Sequence, residues 1–387
     1  MSVLPRIEAF IGDLVAIRHD LHAHPEIGFE EMRTAAIVAE KLEGWGVEVH
    51  RGIGGTGVVG VITGKRPGSR RIGLRADMDA LPMDELTNLP FRSTIPGRFH
   101  GCGHDGHTTM LLGAARYLAE TRDFEGTAVM IFQPAEEGLG GARAMLADKL
   151  FERFPCDEIY GLHNSPDLEP GQISIFPGKA MAGASFFDIT ITGSGSHGAM
   201  PHRSKDPIVV ATALAQALQS VVARNVDPMK SAVLSITKIH SGSAYNVIPE
   251  DATLGGTIRF FDDAVGALVR ERMRKIAAGL AQSFDVTIDV DIRDIFSVLD
   301  NHPAETGYFT ETAAEIVGAD NVLTTPRPVM GSEDFADMLQ RVPGAYCWVG
   351  HGGTVPLHNP GFVLDDSILP VGASLLARIV ERRLGAV

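Results

Sequence analysis

The sequence predicts an α/β fold: a discontinuous domain with a mostly parallel central sheet and helices on both faces, plus an inserted ferredoxin-like α+β domain. Three observations predict it. The chain has 387 residues, more than one hydrophobic core usually supports. Strand-like apolar runs alternate with helical patterns along residues 1–180, which is typical of a parallel sheet covered by helices. Between residues 181 and 293 the order becomes β-α-β-β-α-β, that of a ferredoxin-like sandwich.

The elements divide the chain into a domain of residues 1–180 and 294–387 and an insert of residues 181–293. Apolar residues recur at three- and four-residue steps from Ile7 to Leu21, which predicts one amphipathic helix. Pro25 ends this pattern, because proline disfavours helix at the residue before it. After the insert, further helical patterns and a strand at 345–350 return the chain to the first domain.

Composition limits the partners and the compartment. The net charge of −14 argues against nucleic acid or an anionic membrane as a partner. Three cysteines, an odd number far apart, do not form a disulfide framework and suit a reducing cytoplasm. The start of the chain lacks the basic and apolar segments of a signal peptide, and we find no apolar run expected to span a bilayer. We therefore expect a cytoplasmic protein.

The most informative stretch is Gly101-Cys-Gly-His-Asp-Gly-His, which lies between a strand-like run and a helical run. Its glycines allow the backbone to turn sharply. Cys102 and His104 can therefore point into one pocket. Thiolate and imidazole together are ligands for zinc or a neighbouring transition ion. The loop predicts half of a metal site.

Carboxylates follow two predicted strands, at the sheet edge where α/β proteins bind ligands. Asp77 and Asp79 alone would be ordinary turn residues, but beside the Cys102 loop they indicate a supporting role. Glu136 and Glu137 are adjacent, so one can bind metal while the other faces a water whose proton it accepts. The simpler alternative is a helix-start pair favoured by the helix dipole.

Two histidines stand out by placement: His163 ends a predicted strand, and His358 lies in a late loop before proline. A lone histidine is more often packed or exposed than a ligand, and several of the 14 must be bystanders. The candidate ligands are Cys102, His104, Glu137, His163 and His358. Five ligands suit two ions sharing a water better than one tetrahedral ion.

The insert offers a second group of polar residues. His197 lies in a glycine- and serine-rich loop, and Asn246 and Arg259 follow later. Arginine can bind a carboxylate bidentately, asparagine can add a hydrogen bond, and a histidine can hold a developing oxyanion. That Arg259 is a strand-surface charge and His197 an ordinary loop residue is equally compatible with the sequence.

Together these motifs resemble a known family, the metal-dependent aminoacylase and carboxypeptidase-type amidohydrolases, and within it the hippurate hydrolases and indole-acetyl-amino-acid hydrolases. The resemblance covers nearly the whole chain. Its motifs are Arg18-His-Asp-Leu-His-Ala-His-Pro-Glu-Ile-Gly-Phe-Glu, the Cys102 loop, Gly331-Ser-Glu-Asp-Phe and Leu357-His-Asn-Pro.

The resemblance implies that the five candidate ligands bind a pair of divalent ions, Mn²⁺ or Zn²⁺, with Ni²⁺ and Co²⁺ as further candidates. It implies Glu136 as general base and Asp79 as the aspartate that orients a ligand. Asp77 departs from the pattern, because it stands where the wider family has a metal-binding histidine.

For the insert, the resemblance implies a dimerisation domain whose His197 reaches the active site of the partner subunit. Asn246 and Arg259 would then hold the substrate carboxylate. A homodimer is expected, and a tetramer is compatible with it.

The expected reaction is hydrolysis of an N-acyl amino acid to a carboxylic acid and an amino acid. Two alternatives remain. A dipeptidase or aminopeptidase would use the same residues with a different pocket. A non-catalytic metal- or amino-acid-binding protein would have no use for the base at Glu136.

Overall fold

The computed structural model describes residues 2–385, and within them the chain forms two compact units. One unit contains the residues up to Ala180, Asp300–Arg327 and the residues from Asp334 onward. The other contains Met181–Leu299 and Pro328–Glu333.

Helices and strands are numbered here in chain order. The helices are α1 (Pro5–Glu8), α2 (Ile11–Ala23), α3 (Met32–Gly44), α4 (His104–Thr121), α5 (Gly141–Ala147), α6 (Leu150–Arg153), α7 (Pro207–Asn225), α8 (Asp263–Phe284), α9 (Pro303–Val317), α10 (Phe335–Leu339) and α11 (Leu369–Arg383). The strands are β1 (Glu48–Ile53), β2 (Gly57–Thr63), β3 (Arg66–Asp77), β4 (Glu125–Gln133), β5 (Glu158–Ser165), β6 (Ile173–Ser174), β7 (Gly178–Met181), β8 (Gly183–Thr192), β9 (Ser196–His197), β10 (Ala232–His240), β11 (Val247–Ile248), β12 (Asp251–Phe260), β13 (Thr287–Phe296), β14 (Leu299–Asn301), β15 (Val322–Leu323) and β16 (Gly344–Gly350).

The first unit is built on an eight-stranded sheet in the order β1-β2-β4-β3-β5-β16-β6-β15. Its four central strands, β4, β3, β5 and β16, run parallel, and antiparallel pairs flank them at β1-β2, β2-β4 and β16-β6. Strand β4 is apolar and buried along most of its length, as expected for a strand covered on both faces. The predicted mostly parallel sheet is confirmed.

Helices cover both faces of this sheet. On one face, α4 and α11 pack against each other and against β3 and β5, with Tyr160 and Leu162 of β5 in the shared core. On the other face, Phe335 of α10 lies against Tyr346 of β16, with ring centroids 5.3 Å apart. Side chains alternate between the faces along a strand, so β16 contributes to both layers.

The second unit is a four-stranded antiparallel sheet in the order β10-β12-β8-β13 with helices α7 and α8. In chain order this is β-α-β-β-α-β, and the ferredoxin-like prediction is confirmed. Leu214 of α7 and Met273 of α8 lie in its buried core beside Ile189 of β8. Strand β13 continues to Phe296, so this unit extends beyond the boundary predicted at residue 293.

One sequence expectation needs correction. The helix predicted over residues 7–21 is two helices, α1 and α2, interrupted at Ala9 and Phe10. By length and composition alone α7 could cross a membrane, and it is the single such helix within residues 2–385. Its apolar residues Val210 and Leu218 are buried in the core of the second unit, as in a core helix of a folded domain.

Candidate metal centre

The parallel strands bring the predicted site residues to one edge of the sheet. Asp77, the last residue of β3, pairs in register with Gln133, the last residue of β4. Glu136 and Glu137 follow the end of β4 after two intervening residues, and His163 lies near the end of β5, beside β3. Because carboxyl ends of parallel strands meet at one edge, residues far apart in sequence converge there.

The loop before α4 delivers Cys102 and His104. Gly103 has a φ of 90°, in the left-handed region, and a Cβ there would lie 2.3 Å from the amide nitrogen of Asn164. Only glycine fits this position without strain. His104 then begins α4, and both it and Cys102 are buried.

The five candidate ligands lie together. Cys102 Sγ is 3.4 Å from His163 Nε2, His104 Nε2 is 3.9 Å from Glu137 Oε1, and His358 Nε2 is 3.2 Å from Glu137 Oε1. The backbone N–H of His358 donates to the carbonyl of Gly101, which ties the late loop to the Cys102 loop. Atoms bound to one ion lie roughly 3–4 Å apart, because each is about 2.0–2.3 Å from the ion.

The donor set fits divalent cations. Within residues 2–385, His104 Nε2 and Glu137 Oε1 are buried without a hydrogen bond of good geometry. Hydrogen bonds to Cys102, the larger effect, and to Glu137 raise the pKa of His358 to about 10. The surroundings of the His358 ring therefore favour positive charge. One ligand atom each of Cys102, His104 and His163 lies within 4.8 Å of the other two, and so do those of Cys102, Glu137 and His358. Two overlapping groups of donors suit two ions.

Hydrogen bonds fix which ring nitrogen of His163 faces the donors. Its Nδ1 lies 2.7 Å from the carbonyl oxygen of Asn164, so Nδ1 carries the proton and Nε2 offers a lone pair toward Cys102. Burial lowers the pKa of His163 well below its usual value, and the neighbouring His107 adds to this. A neutral imidazole is the form that binds metal.

Asp79 contacts two of the candidate ligands. Its Oδ1 lies 3.1 Å from His104 Nδ1, and its Oδ2 accepts the backbone N–H of Glu137 at 3.0 Å. The first contact directs His104 Nε2 toward the donors, and the second fixes the backbone of Glu137. A carboxylate behind a metal-binding histidine typically sets its ring orientation.

Asp77 is occupied by other partners. Its Oδ1 lies 2.6 Å from His107 Nδ1 and its Oδ2 2.8 Å from Arg75 Nη1. Burial raises the pKa of Asp77, but the charges of His104, His107 and Arg75 lower it by more, so the group is ionised. Arg75 also pairs with Asp334 at 3.1 Å. Asp77 therefore balances a buried arginine and orients His107.

Sequence reasoning missed His107 and Asn164. The Nε2 of His107 accepts the backbone N–H of Asn164 at 3.0 Å, while the side-chain amide of Asn164 donates to the carbonyl of Cys102 at 2.6 Å. These bonds connect the end of β5 to the Cys102 loop. Both residues stand inside the motifs that drew attention, but their spacing does not reveal their partners.

A buried ionic cluster lies behind the Cys102 loop and gives a role to the motif that begins at Arg18. Asp105 Oδ2 lies 3.1 Å from Arg18 Nη1 and 2.9 Å from His22 Nδ1, and the second His22 nitrogen lies 3.4 Å from Glu85. Arg18, His22 and Asp105 are all buried. Arg18 and His22 of α2 thus anchor Asp105, the residue that follows His104.

The second unit holds the other predicted residues. His197 in β9 is the register partner of Val247 in β11, and the N–H of Gly198 donates to the carbonyl of Asn246 at 2.7 Å. His197 and Asn246 are therefore neighbours. Arg259 lies in β12, with its guanidinium 5.7 Å from the centre of the Phe186 ring.

Comparison with known proteins gives matches along nearly the whole chain. Residues 73–382 match the profile of peptidase family M20/M25/M40. The hippurate hydrolase of Campylobacter jejuni is 42% identical over 384 residues, covering 99% of this chain and 100% of that protein. Thermostable carboxypeptidase 1 of Saccharolobus solfataricus is 38% identical over 370 residues, covering 93% of this chain and 92% of that protein.

A solved structure from Bacillus subtilis is similar over nearly the whole chain. It is described as a dinuclear metal-binding peptidase from the M20 family. It superposes with a TM-score of 0.83 at 34% identity, covering 98% of this chain and 100% of that chain.

Proposed function

The chain belongs to peptidase family M20/M25/M40 and is an amidohydrolase, and from this premise we propose that it cleaves the amide bond of N-acyl amino acids such as hippurate. The products are a carboxylic acid and a free amino acid. The relative named hippurate hydrolase, aligned along essentially the whole chain, supports this substrate class.

The observation that carries the proposal is the position of Glu136. Its carboxylate is buried, and one of its oxygens lies within 4.8 Å of ligand atoms of both His104 and Glu137. A carboxylate placed directly beside a set of metal ligands is suited to accept a proton from water at that site. A pure binding site would need no such group.

We assign two divalent ions per subunit to the five residues Cys102, His104, Glu137, His163 and His358. When bound, the ions would lower the pKa of water and polarise the scissile carbonyl. Carboxylate and imidazole suit manganese, whereas the thiolate of Cys102 favours zinc, with nickel and cobalt as further candidates. Asp79 would hold His104 and the Glu137 backbone in position during the reaction.

Glu136 moves the protons. It takes a proton from water, whose oxygen forms the new bond to the amide carbonyl carbon. When the C–N bond breaks, Glu136 returns that proton to the leaving nitrogen. Burial of Glu136 keeps bulk water from competing for the proton.

The insert supplies substrate contacts in this proposal. The Nδ1 of His197 accepts the backbone N–H of Ala199 at 3.1 Å, so in the neutral ring Nε2 carries the proton and can donate to a developing oxyanion. The Nη1 of Arg259 is buried without a hydrogen-bond partner in the described part of the chain, and burial lowers the pKa of this residue. Such a guanidinium suits the substrate carboxylate, with Asn246 adding a hydrogen bond.

We further propose a homodimer formed through the insert, with His197 reaching the site of the partner subunit. The two edges of the insert sheet differ. Edge strand β13 carries charged pairs such as Arg293 with Asp291, which discourage pairing with another chain. At the other edge, the end of β10 is exposed and includes Ile239, 51% exposed. This second edge is the better candidate for an interface.

The three cysteines are free, which supports the predicted cytoplasmic location.

A second candidate is a metallopeptidase acting on dipeptides or peptide ends with the same residues. The carboxypeptidase relative favours it. The two functions differ in the group on the acyl side of the bond, so a panel of acyl-amino acids and dipeptides separates them.

The deciding experiment incubates purified protein with hippurate and Mn²⁺ or Zn²⁺ and measures released glycine. We expect turnover that a chelator abolishes and the ion restores. Glu136→Gln should retain the ions and lose about 10²- to 10⁴-fold in kcat. Near-full turnover by Glu136→Gln would refute the assigned base, and hydrolysis of dipeptides alone would favour the second candidate.

A further inference from the structure

The residue before the proposed base has an unusual backbone. Ala135 has a φ of 53°, in the left-handed region, and its side chain is fully buried. A residue with a Cβ is uncommon there because of steric conflict, so the surrounding structure must hold it. The direction in which Glu136 leaves the backbone depends on that conformation.

Three contacts hold Ala135. Its N–H donates to Oε1 of Glu31 at 2.8 Å, and its carbonyl accepts the N–H of Gly141 at 3.0 Å. The third contact is Gly28, where a Cβ would lie 2.9 Å from both the Cα and the Cβ of Ala135. Of these, only Glu31 contributes a side chain.

Glu31 is itself built into this position. It directly precedes α3, is completely buried, and stands 104 residues from Ala135 in sequence. Its second oxygen accepts the hydroxyl of Thr56 at 2.5 Å. Burial raises the pKa of Glu31 to about 7, although the Thr56 hydrogen bond opposes this. A buried carboxyl group is costly and is used where its acceptors are needed.

We propose that Glu31 is a positioning residue for the catalytic base: its carboxyl group fixes the peptide between Pro134 and Ala135 and thereby aims Glu136 at the reacting atoms. The proposal rests on the function proposed above, because it presumes that Glu136 is the base. Glu31 touches neither substrate nor ions in this role and acts only through the backbone.

The test compares variants that separate geometry from charge. Glu31→Leu removes the acceptor at similar volume. Glu31→Asp keeps the acid but withdraws it from Ala135, and serves as the second variant if Glu31→Leu does not fold. Glu31→Gln keeps an acceptor for the N–H. The matched control is Glu381→Leu, at a buried carboxylate that accepts the Tyr117 hydroxyl at 2.8 Å away from the site.

Hippurate hydrolysis and ion content are measured for each holoenzyme. We expect Glu31→Leu and Glu31→Asp to lose about 10- to 100-fold in kcat, with KM and ion content as in the wild type. Glu31→Gln should recover most of the loss, and Glu381→Leu should lower the melting temperature without changing kcat. The proposal is overturned by wild-type kcat in Glu31→Leu and Glu31→Asp, or by an equal loss in Glu381→Leu. It is also overturned by a loss that saturating metal restores.

Failure of the proposed function is distinguishable. If the wild type hydrolyses no N-acyl amino acid, or if Glu136→Gln remains active, the function or its base is wrong. Crystal structures of wild type and Glu31→Leu then decide the positioning role. A rotated peptide at Ala135 with a displaced Glu136 carboxylate supports it, and an unchanged backbone contradicts it.

Discussion

The thiol sulfur of Cys102 lies 3.4 Å from Nε2 of His163, although 61 positions separate the two residues in sequence. The sheet brings Cys102 and His163 together, because β5 lies beside β3, the strand that leads toward the Cys102 loop. Asn164 secures the arrangement by donating to the carbonyl of Cys102. The candidate centre is therefore formed by the fold as a whole rather than by one motif.

Replacing the thiol should weaken metal binding. In Cys102→Ser a hydroxyl, which is a poor ligand at neutral pH, takes the place of the thiolate. We expect a decrease in metal affinity of at least about 10-fold, with activity recovered in part by excess ion. Cys156→Ser is the control, since Cys156 is not among the candidate ligands. Calorimetric titration with the metal measures the affinity of both variants. Equal affinities in Cys102→Ser and Cys156→Ser would exclude Cys102 as a ligand.

Asp79→Asn tests the residue behind the ligands. Both His104 and the Glu137 backbone lie against the two oxygens of Asp79, and an asparagine amide offers only one acceptor. One ligand therefore loses its orientation, and we expect a loss of about 10- to 100-fold in metal affinity or activity. The exposed Asp123→Asn should behave as wild type. Unchanged affinity and kcat in Asp79→Asn would contradict an orienting role.

Stability should depend on His22 between neutral and alkaline pH. Burial lowers the pKa of His22, but Asp105 and Glu85 raise it by more, from 6.5 to about 9. Because the folded-state pKa is the higher one, the stabilisation is complete below pH 6.5 and is lost as pH rises through about 9. The shift corresponds to about 3 kcal/mol. The free energy of unfolding in urea should differ between wild type and His22→Asn. This difference should shrink by about 3 kcal/mol as the pH rises from 6.5 through about 9.

A difference between wild type and His22→Asn that stays constant from pH 6 to pH 10 would contradict the charged state of His22. Taking the difference in free energy of unfolding between the two proteins cancels the contributions of other groups that titrate in the same pH range.

Mixing two inactive variants tests whether subunits share a site. His197→Ala lacks the proposed oxyanion donor, and Glu136→Gln lacks the base. In a two-fold dimer with His197 acting on the partner's site, random exchange of subunits should restore about a quarter of the wild-type sites. Hydrolysis after denaturation and joint refolding measures this. No recovery in a protein shown to be dimeric would place His197 in its own subunit's site or outside catalysis.

The sequence predicted the fold class because strand and helix periodicities are local. The prediction of one continuous helix failed at the break between α1 and α2. Ala9 and Phe10 continue the apolar spacing, and nothing in that spacing marks the end of a helix. Two-residue strands such as β6 and β15 form only because neighbouring strands supply their partners. No periodicity can predict them.

The candidate ligands could be selected from sequence because motif residues carry recognisable chemistry. The contact partners of the supporting residues could not be predicted in this way. Asp77 pairs with Arg75 and His107, and Glu31 reaches Ala135 only after α3 and β4 have folded together. Such partners depend on distances across the fold, which residue types and spacing do not contain.

The central claim is that five residues hold two ions beside Glu136. Anomalous difference density from crystals of the Mn²⁺-loaded protein tests it most directly. The account predicts two peaks about 3.5–4 Å apart, within coordination distance of Cys102, His104, Glu137, His163 and His358. A single peak, or peaks coordinated by other residues, would contradict it.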